Sequence, residues 1–173
     1  MGYTFIIVFT LFVIVFILNR EKSGESLEKE IKRIGNRPND SISLRNVMLE
    51  DNKGTTEIDN IIITSTKIFV VEAKDYSGSI YGNSNSKTWK YYLGGKNFDF
   101  YNPIFQNNGH INKLRHVCRL SNNVEIVNVI VFGSRTTNIQ VKNSSNAIIT
   151  DSKGLSKLVK SASVKNQLNV LNI

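Results

Sequence analysis

Residues 57–74 read Glu57-Ile58-Asp59-Asn60-Ile61-Ile62-Ile63-Thr64-Ser65-Thr66-Lys67-Ile68-Phe69-Val70-Val71-Glu72-Ala73-Lys74. Two β-branched apolar runs flank a short polar break, which predicts a β-hairpin. Side chains alternate along a strand, so Glu57 and Asp59 share one face, and Glu72 and Lys74 share another, opposite Val71 and Ala73. With Ser65 and Thr66 as the loop, Asp59 falls opposite Glu72 and Glu57 opposite Lys74. A three-residue loop with a bulge would shift that register. Directly opposed residues have Cβ atoms roughly 4.5–5.5 Å apart. Two carboxylates at that spacing repel unless one takes up a proton or a cation sits between them. Mg²⁺ binds through one or two carboxylates while keeping several waters, which suits an Asp59 and Glu72 pair. A plainer reading makes Glu57, Glu72 and Lys74 a cross-strand ion network on a solvated face. The apolar run Ile68 to Val71 nevertheless reads as a central buried strand, with its charges arriving only near its end.

Working outward, Glu25 to Ile34 reads as a helix with Leu27, Ile31 and Ile34 on one face and Gly35 as its stop. Glu25 and Lys29 stand at i,i+4 spacing, so by spacing alone Glu25 is a surface ion-pair residue. A strand is expected over Ile42 to Leu49, before a turn at Asp51 to Gly54. Beyond the hairpin, a Gly-, Ser- and Asn-rich loop holds a short strand at Ser79 to Tyr81. Trp89, Tyr91 and Leu93 then alternate with Lys90 and Tyr92, and Gly94-Gly95 turns the chain toward Phe98 and Phe100. This aromatic hairpin either fills a core or stacks on bases. Asn102 as N-cap and Pro103 at N1 start a helix running to about Leu120. Its buried stripe is expected at Ile104, Ile111, Leu114 and Cys118, with Gln106, His110 and Lys113 on another face that looks toward the site or toward solvent. A strand at Glu125 to Phe132, another at Ala147 to Thr150 and a short helix at Ser152 to Ser161 complete the pattern.

The ordered series Gly24-Glu25, Thr56-Glu57-Ile58-Asp59-Asn60-Ile61, Ile68 to Gly78 with its Glu72-Ala73-Lys74, Trp89, and Asn102-Pro103-Ile104-Phe105-Gln106 resembles the NERD domain, the nuclease-related domain of the PD-(D/E)xK nuclease superfamily. The resemblance covers roughly Gly24 to Phe132. It implies an α/β fold with a restriction-endonuclease-like mixed β-sheet flanked by helices. It also implies that Asp59 and Glu72 are metal ligands for Mg²⁺ or Mn²⁺, that Lys74 positions or activates the attacking water, that Glu25 completes the metal shell, and that Gln106 orients a water or a phosphate. Lys67 departs from the glycine usual in the family's hairpin loop, which leaves the turn type open.

The chain has 173 residues and a net charge of +8. No charge occurs from Met1 to Asn19, and Tyr3 to Leu18 is almost wholly apolar. A membrane span needs about 20 residues, with a lower limit near 17, so residues 1–19 are expected to form a transmembrane anchor. The rival is a cleaved signal peptide, but there is no basic n-region and no small-x-small site. The expected layout is an anchor at 1–19, a juxtamembrane linker at 20–23 and a nuclease-like domain at 24–173 with its core at 24–132. Arg20, Lys22, Lys29, Lys32 and Arg33 follow the span and nothing basic precedes it, which places the C-terminal domain in the cytoplasm. Cys118 is the only cysteine, which excludes an internal disulfide. The positive charge suits a phosphate backbone, and Arg20 to Arg33 suits anionic lipid as well. The expectation is a single-pass membrane protein acting as a Mg²⁺-dependent nuclease on DNA. The alternatives are a nucleic-acid-binding module that does not cut and a membrane-tethered scaffold with a structural ion network.

Overall fold

The structure, a computed structural model, describes residues 27–163 apart from 39, 144 and 145. The expected anchor, the linker and Glu25 lie outside the described residues. Among the described residues no helix is long and apolar enough to cross a membrane.

Helix α1 (residues 27–35) leads into β1 (Ser41–Asp51), β2 (Gly54–Thr64) and β3 (Ile68–Lys74). Strands β4 (Gly78–Asn83), β5 (Thr88–Leu93) and β6 (Lys96–Tyr101) follow, then α2 (Pro103–Val117), β7 (Ile126–Phe132), β8 (Thr136–Lys142), β9 (Ile148–Thr150) and α3 (Ser152–Ala162). The strands form two mixed sheets, ordered β1-β2-β3-β7-β9 and β6-β5-β4-β8. In the first, β1, β2 and β3 are antiparallel neighbours while β3, β7 and β9 run parallel.

Helices cover both faces of the first sheet, as the apolar runs Ile68 to Val71 of β3 and Val129 to Phe132 of β7 require. Leu27 and Ile31 of α1 and Leu155 and Val159 of α3 bury Ile62, Phe69, Val71, Val129 and Val131 on one face. Leu114 of α2 packs on Leu49, Ile58, Ile61 and Val70 on the other. A third core, of Ile80, Trp89, Ile104, Ile130 and Phe132, joins the second sheet to α2 and β7. Trp89 is therefore a core residue, with its indole N–H donated to the Asn83 carbonyl at 2.9 Å. Each of these large side chains contributes about 1.5–3 kcal/mol relative to its exposed state.

The hairpin register is the expected one, since Ile63 pairs with Ile68 and Asn60 with Val71. Neither Ser65 nor Thr66 has a positive φ, so the loop is not the type I′ turn. Thr64 Oγ1 holds it by donating to the Lys67 carbonyl and accepting the Lys67 N–H, and Thr66 Oγ1 donates to the Ala162 carbonyl at the end of α3. Lys67 itself pairs outward with Glu125.

Four expectations need correction. Helix α2 ends at Val117, and Cys118 is its exposed C-cap rather than part of the buried stripe. Strand β8 has no counterpart in the sequence reading. It is a polar strand whose place comes from parallel pairing with β4. Strands β1 and β2 run longer than expected at their hairpin ends. Glu57 does not face Lys74: the β2–β3 ladder stops at Asn60, and Glu57 is exposed and paired with Met48 of β1.

Candidate functional site

The end of that ladder makes the site. In the β1–β2 pairing Arg45 faces Asn60 and Val47 faces Ile58, but the residues between, Asn46 and Asp59, are skipped. Asn46 has φ of 52°, a left-handed conformation that Asn tolerates better than other non-glycine residues. Across this point both strands change faces: Ile62 packs under α1 and α3, whereas Ile58, four residues earlier, packs under α2. A regular strand would keep them on one face. Freed from the ladder, the Asp59 carboxylate accepts the backbone N–H of Ala73 in β3 at 2.9 Å.

Strand β3 is regular, and its alternation puts Val70, Glu72 and Lys74 toward α2. Glu72 is only 2 % exposed. Its Oε1 lies 2.6 Å from Lys74 Nζ, and Lys74 Nζ also donates to Gln106 Oε1 at 3.1 Å. His110, one turn after Gln106 on α2, sets Nε2 3.4 Å from Glu72 Oε2, outside hydrogen-bond geometry, while its Nδ1 shares a 2.9 Å bond with Thr56 Oγ1. The helix is held in this rotation by buried amides. Asn107 Nδ2 donates to the Val70 carbonyl and to Asn128 Oδ1, both at 2.8 Å, and Asn128 Nδ2 donates to Asn108 Oδ1. Lys113 points elsewhere, to Asp51 and the Gly54 carbonyl, and fastens α2 to the β1–β2 turn.

The two carboxyls are pushed apart electrically. Burial, and then the neighbouring Glu72 charge, push Asp59 up to about 6, against the opposing Ala73 N–H and Lys74. Burial would raise Glu72 too, but His110 and Lys74 together hold it below the usual carboxylate range. The charge of Glu28 on α1 also raises Asp59. Glu28 lies three residues beyond Glu25 and pairs with Arg45 Nε at 3.9 Å.

Asp59, Glu72, Lys74 and Gln106 therefore come together, Glu25 lies outside the described residues, and Glu57 stands apart. His110 was legible only as a neighbour of Gln106 at i,i+4, and Thr56 only as the first residue of the Thr56 to Ile61 run, with no role attached to it.

A family model for the nuclease-related domain matches residues 22–133, about two thirds of the chain. The chain belongs to the NERD family. NERD domains fall within the PD-(D/E)xK-like nuclease superfamily. Over 91 residues the chain is 40% identical to an uncharacterized protein of Bacillus anthracis, a stretch that makes up 51% of this chain and 43% of that protein. The chain thus spans less than half the length of this relative. No solved structure is a significant match.

The donor set of this NERD domain is compatible with a hard divalent cation. Asp59 and Glu72 are oxygen donors whose mutual repulsion a cation relieves, and Glu72 Oε2 is buried with no hydrogen-bond partner. Among the described residues, no group of three His, Cys, Asp or Glu side chains converges to hold a metal by itself.

Proposed function

We propose that the protein is a membrane-anchored, Mg²⁺-dependent nuclease that hydrolyses phosphodiester bonds of DNA, with its catalytic domain in the cytoplasm. The observation that carries this reading is the convergence of Asp59, Glu72 and Lys74 at the splayed end of the β2–β3 hairpin in a chain of the nuclease-related family. Asp59 and Glu72 would hold Mg²⁺ or Mn²⁺, which when bound acidifies a water and takes up charge on the scissile phosphate. Lys74 has three N–H donors. Two engage Glu72 and Gln106, leaving the third for the attacking water or a non-bridging phosphate oxygen. Gln106 accepts from Lys74 through Oε1, so its amide N–H₂ is free to orient a phosphate or a water. His110, held by its bond to Thr56, acts with Lys74 to keep Glu72 ionised. Glu25 is proposed to add an acid from the first helix. The anchor at 1–19 and the cytoplasmic orientation rest on the apolar run and the basic residues that follow it.

The test is plasmid cleavage by the detergent-purified full chain with Mg²⁺. Asp59→Ala and Lys74→Ala are expected to lower cleavage at least about 10²-fold, and Glu57→Ala to lower it far less. Cleavage that survives both of the first two substitutions sinks the site. A second reading, binding without cutting, is favoured by one feature: Lys74 already pairs with Glu72 within the protein. Salt-sensitive, EDTA-indifferent binding without cleavage would establish it, and neither binding nor cleavage would leave a structural scaffold. Carbonate extraction and protease protection of vesicles test the anchor and its orientation.

A further inference from the structure

Between α1 and β1 lies an open groove of about 960 Å³ lined by Lys29, Lys32, Arg33 and Arg45, with Ser43 and Asn46 among its polar residues and no acidic residue among the described ones. On α1 the lining residues recur at i, i+3 and i+4, so they form one stripe. On β1 the groove follows 43–47, about 13 Å of strand at roughly 3.3 Å per residue. One end of this track is tied to the candidate site through the β1–β2 pairing. Asn46 stands at the position opposite Asp59 where the β1–β2 ladder is skipped, and Arg45 pairs with Glu28, whose charge Asp59 feels. Beyond the helix, Arg33 also lines a smaller depression of about 250 Å³ with Arg37 and Lys160, which carries the positive surface on toward α3.

A cationic stripe on a helix is ordinarily a solvated face. Three observations set this one apart. It is concave, its Lys32 and Arg33 are exposed and form no ion pair among the described residues, and Ser43, 6 % exposed, has a buried hydroxyl with no hydrogen-bond partner. It also answers an electrostatic problem, because without a bound cation a centre built from Asp59 and Glu72 repels a polyanion. Cations beside it must supply the attraction.

We propose that the α1–β1 groove binds the phosphate backbone of the nucleic acid on one side of the scissile bond and feeds it to Asp59. This rests on the nuclease reading for the identity of the ligand. Concavity, and the place of Asn46 opposite Asp59 in the β1–β2 pairing, favour a strand of phosphates over a lipid surface, which a convex basic face would fit better.

The test measures fluorescence anisotropy of labelled DNA with the detergent-purified full chain in EDTA, across a salt series. The Lys32→Glu, Arg33→Glu double variant is expected to weaken binding at least about tenfold and to shallow the log–log salt slope by about two. Arg45→Gln is expected to weaken it less, and Lys96→Glu, on β6 of the other sheet and outside the groove lining, to leave it unchanged. Thermal melts check that the variants are folded. Wild-type affinity and slope in the double variant overturn the proposal. So does a variant that binds DNA normally but loses affinity for water-soluble dihexanoyl phosphatidylserine, which would make the groove a lipid site. Because binding is read without metal, the two readings separate. Loss of binding in the variant of a chain that never cleaves upholds the groove and sinks the nuclease. Cleavage with a groove-independent affinity does the reverse.

Discussion

Asp59 is under opposing demands: the hairpin buries it beside a second carboxylate, while the proposed chemistry needs it ionised. Its pKa in the folded protein, about 6 against an ordinary 3.8, reflects that conflict. The sign follows from proton counting. Between about pH 4 and 6 the native state holds a proton that the unfolded state has released, so ν_U − ν_N is negative and this residue's effect on stability worsens as pH rises. Above pH 6 the ionised carboxylate costs on the order of 2–3 kcal/mol. Glu72, held below its usual range, has the opposite sign and loses its contribution as pH falls. The Asp59 effect is therefore read as a difference. Metal-free Asp59→Asn should melt higher than wild type at pH 7, and the gap should close by about pH 4. Adding Mg²⁺ should raise the wild-type melting temperature and leave that of the variant unchanged. A gap that is constant with pH would contradict the assignment.

At the scale of the element, α2 carries half of the site, and its start is determined by one side chain. Asn102 is fully buried. Its Oδ1 accepts the Ile104 N–H at 2.9 Å, and its Nδ2 donates to the carbonyls of Ser84 and Ser86 at 3.0 and 2.7 Å. The residue that caps the helix also ties it to the loop before β5. Asn102→Ala removes the cap and leaves buried carbonyls unpaired, a loss of about 2–4 kcal/mol, measurable by urea denaturation. Because Gln106 and His110 follow within two turns, activity at temperatures where the variant is still folded should fall through kcat more than KM. Asn102→Asp, which keeps the cap but not the donors, should recover only part of the stability. The Asn102-Pro103 cap signal was legible without any structure. The orientation of the helix was not, because Asn107 and Asn128 set it through contacts with β3 and β7 that are 21 or more positions away.

At the scale of the whole molecule, the two sheets are joined where a pair of parallel strands crosses together from one to the other. Strands β3 and β7 run side by side, and so do β4 and β8. The connections between them are stitched by Gly133 N–H to the Lys74 carbonyl, Gly78 N–H to the Arg135 carbonyl, and Thr136 Oγ1 to the Tyr76 carbonyl. Arg135 Nη2 binds both Asp75 Oδ2 and the Asp75 carbonyl, at 3.0 and 2.9 Å, directly after Lys74. A Cβ on Gly133 would fall 2.2 Å from Asp75 Oδ1, so only glycine lets this carboxylate lie flat on the joint. Gly133→Ala and Arg135→Ala should each lower kcat several-fold by loosening Lys74. Because both act on the same carboxylate, their double variant should be clearly less than additive in a mutant cycle. Additive losses would show that the joint does not act as a unit.

The hairpin register, the alternation that sets Glu72 and Lys74 on one face of β3, and the capping of α2 were legible in the sequence because each rests on local chemistry: β-branched runs, strand alternation, an Asn-Pro cap. What the tertiary structure decided lies where two distant segments compete for the same groups. Regular alternation puts Glu57 beside Asp59. The left-handed Asn46 in the neighbouring strand instead turns the β1–β2 pair over, so Glu57 goes to solvent and Asp59 to Ala73. His110 joined Glu72 only when α2 was clamped onto β3, and β8 became a strand only because β4 offered it an edge. Alternation and capping are properties of a few consecutive residues, whereas a face reversal or a helix rotation is the outcome of packing among segments that meet only in the folded chain.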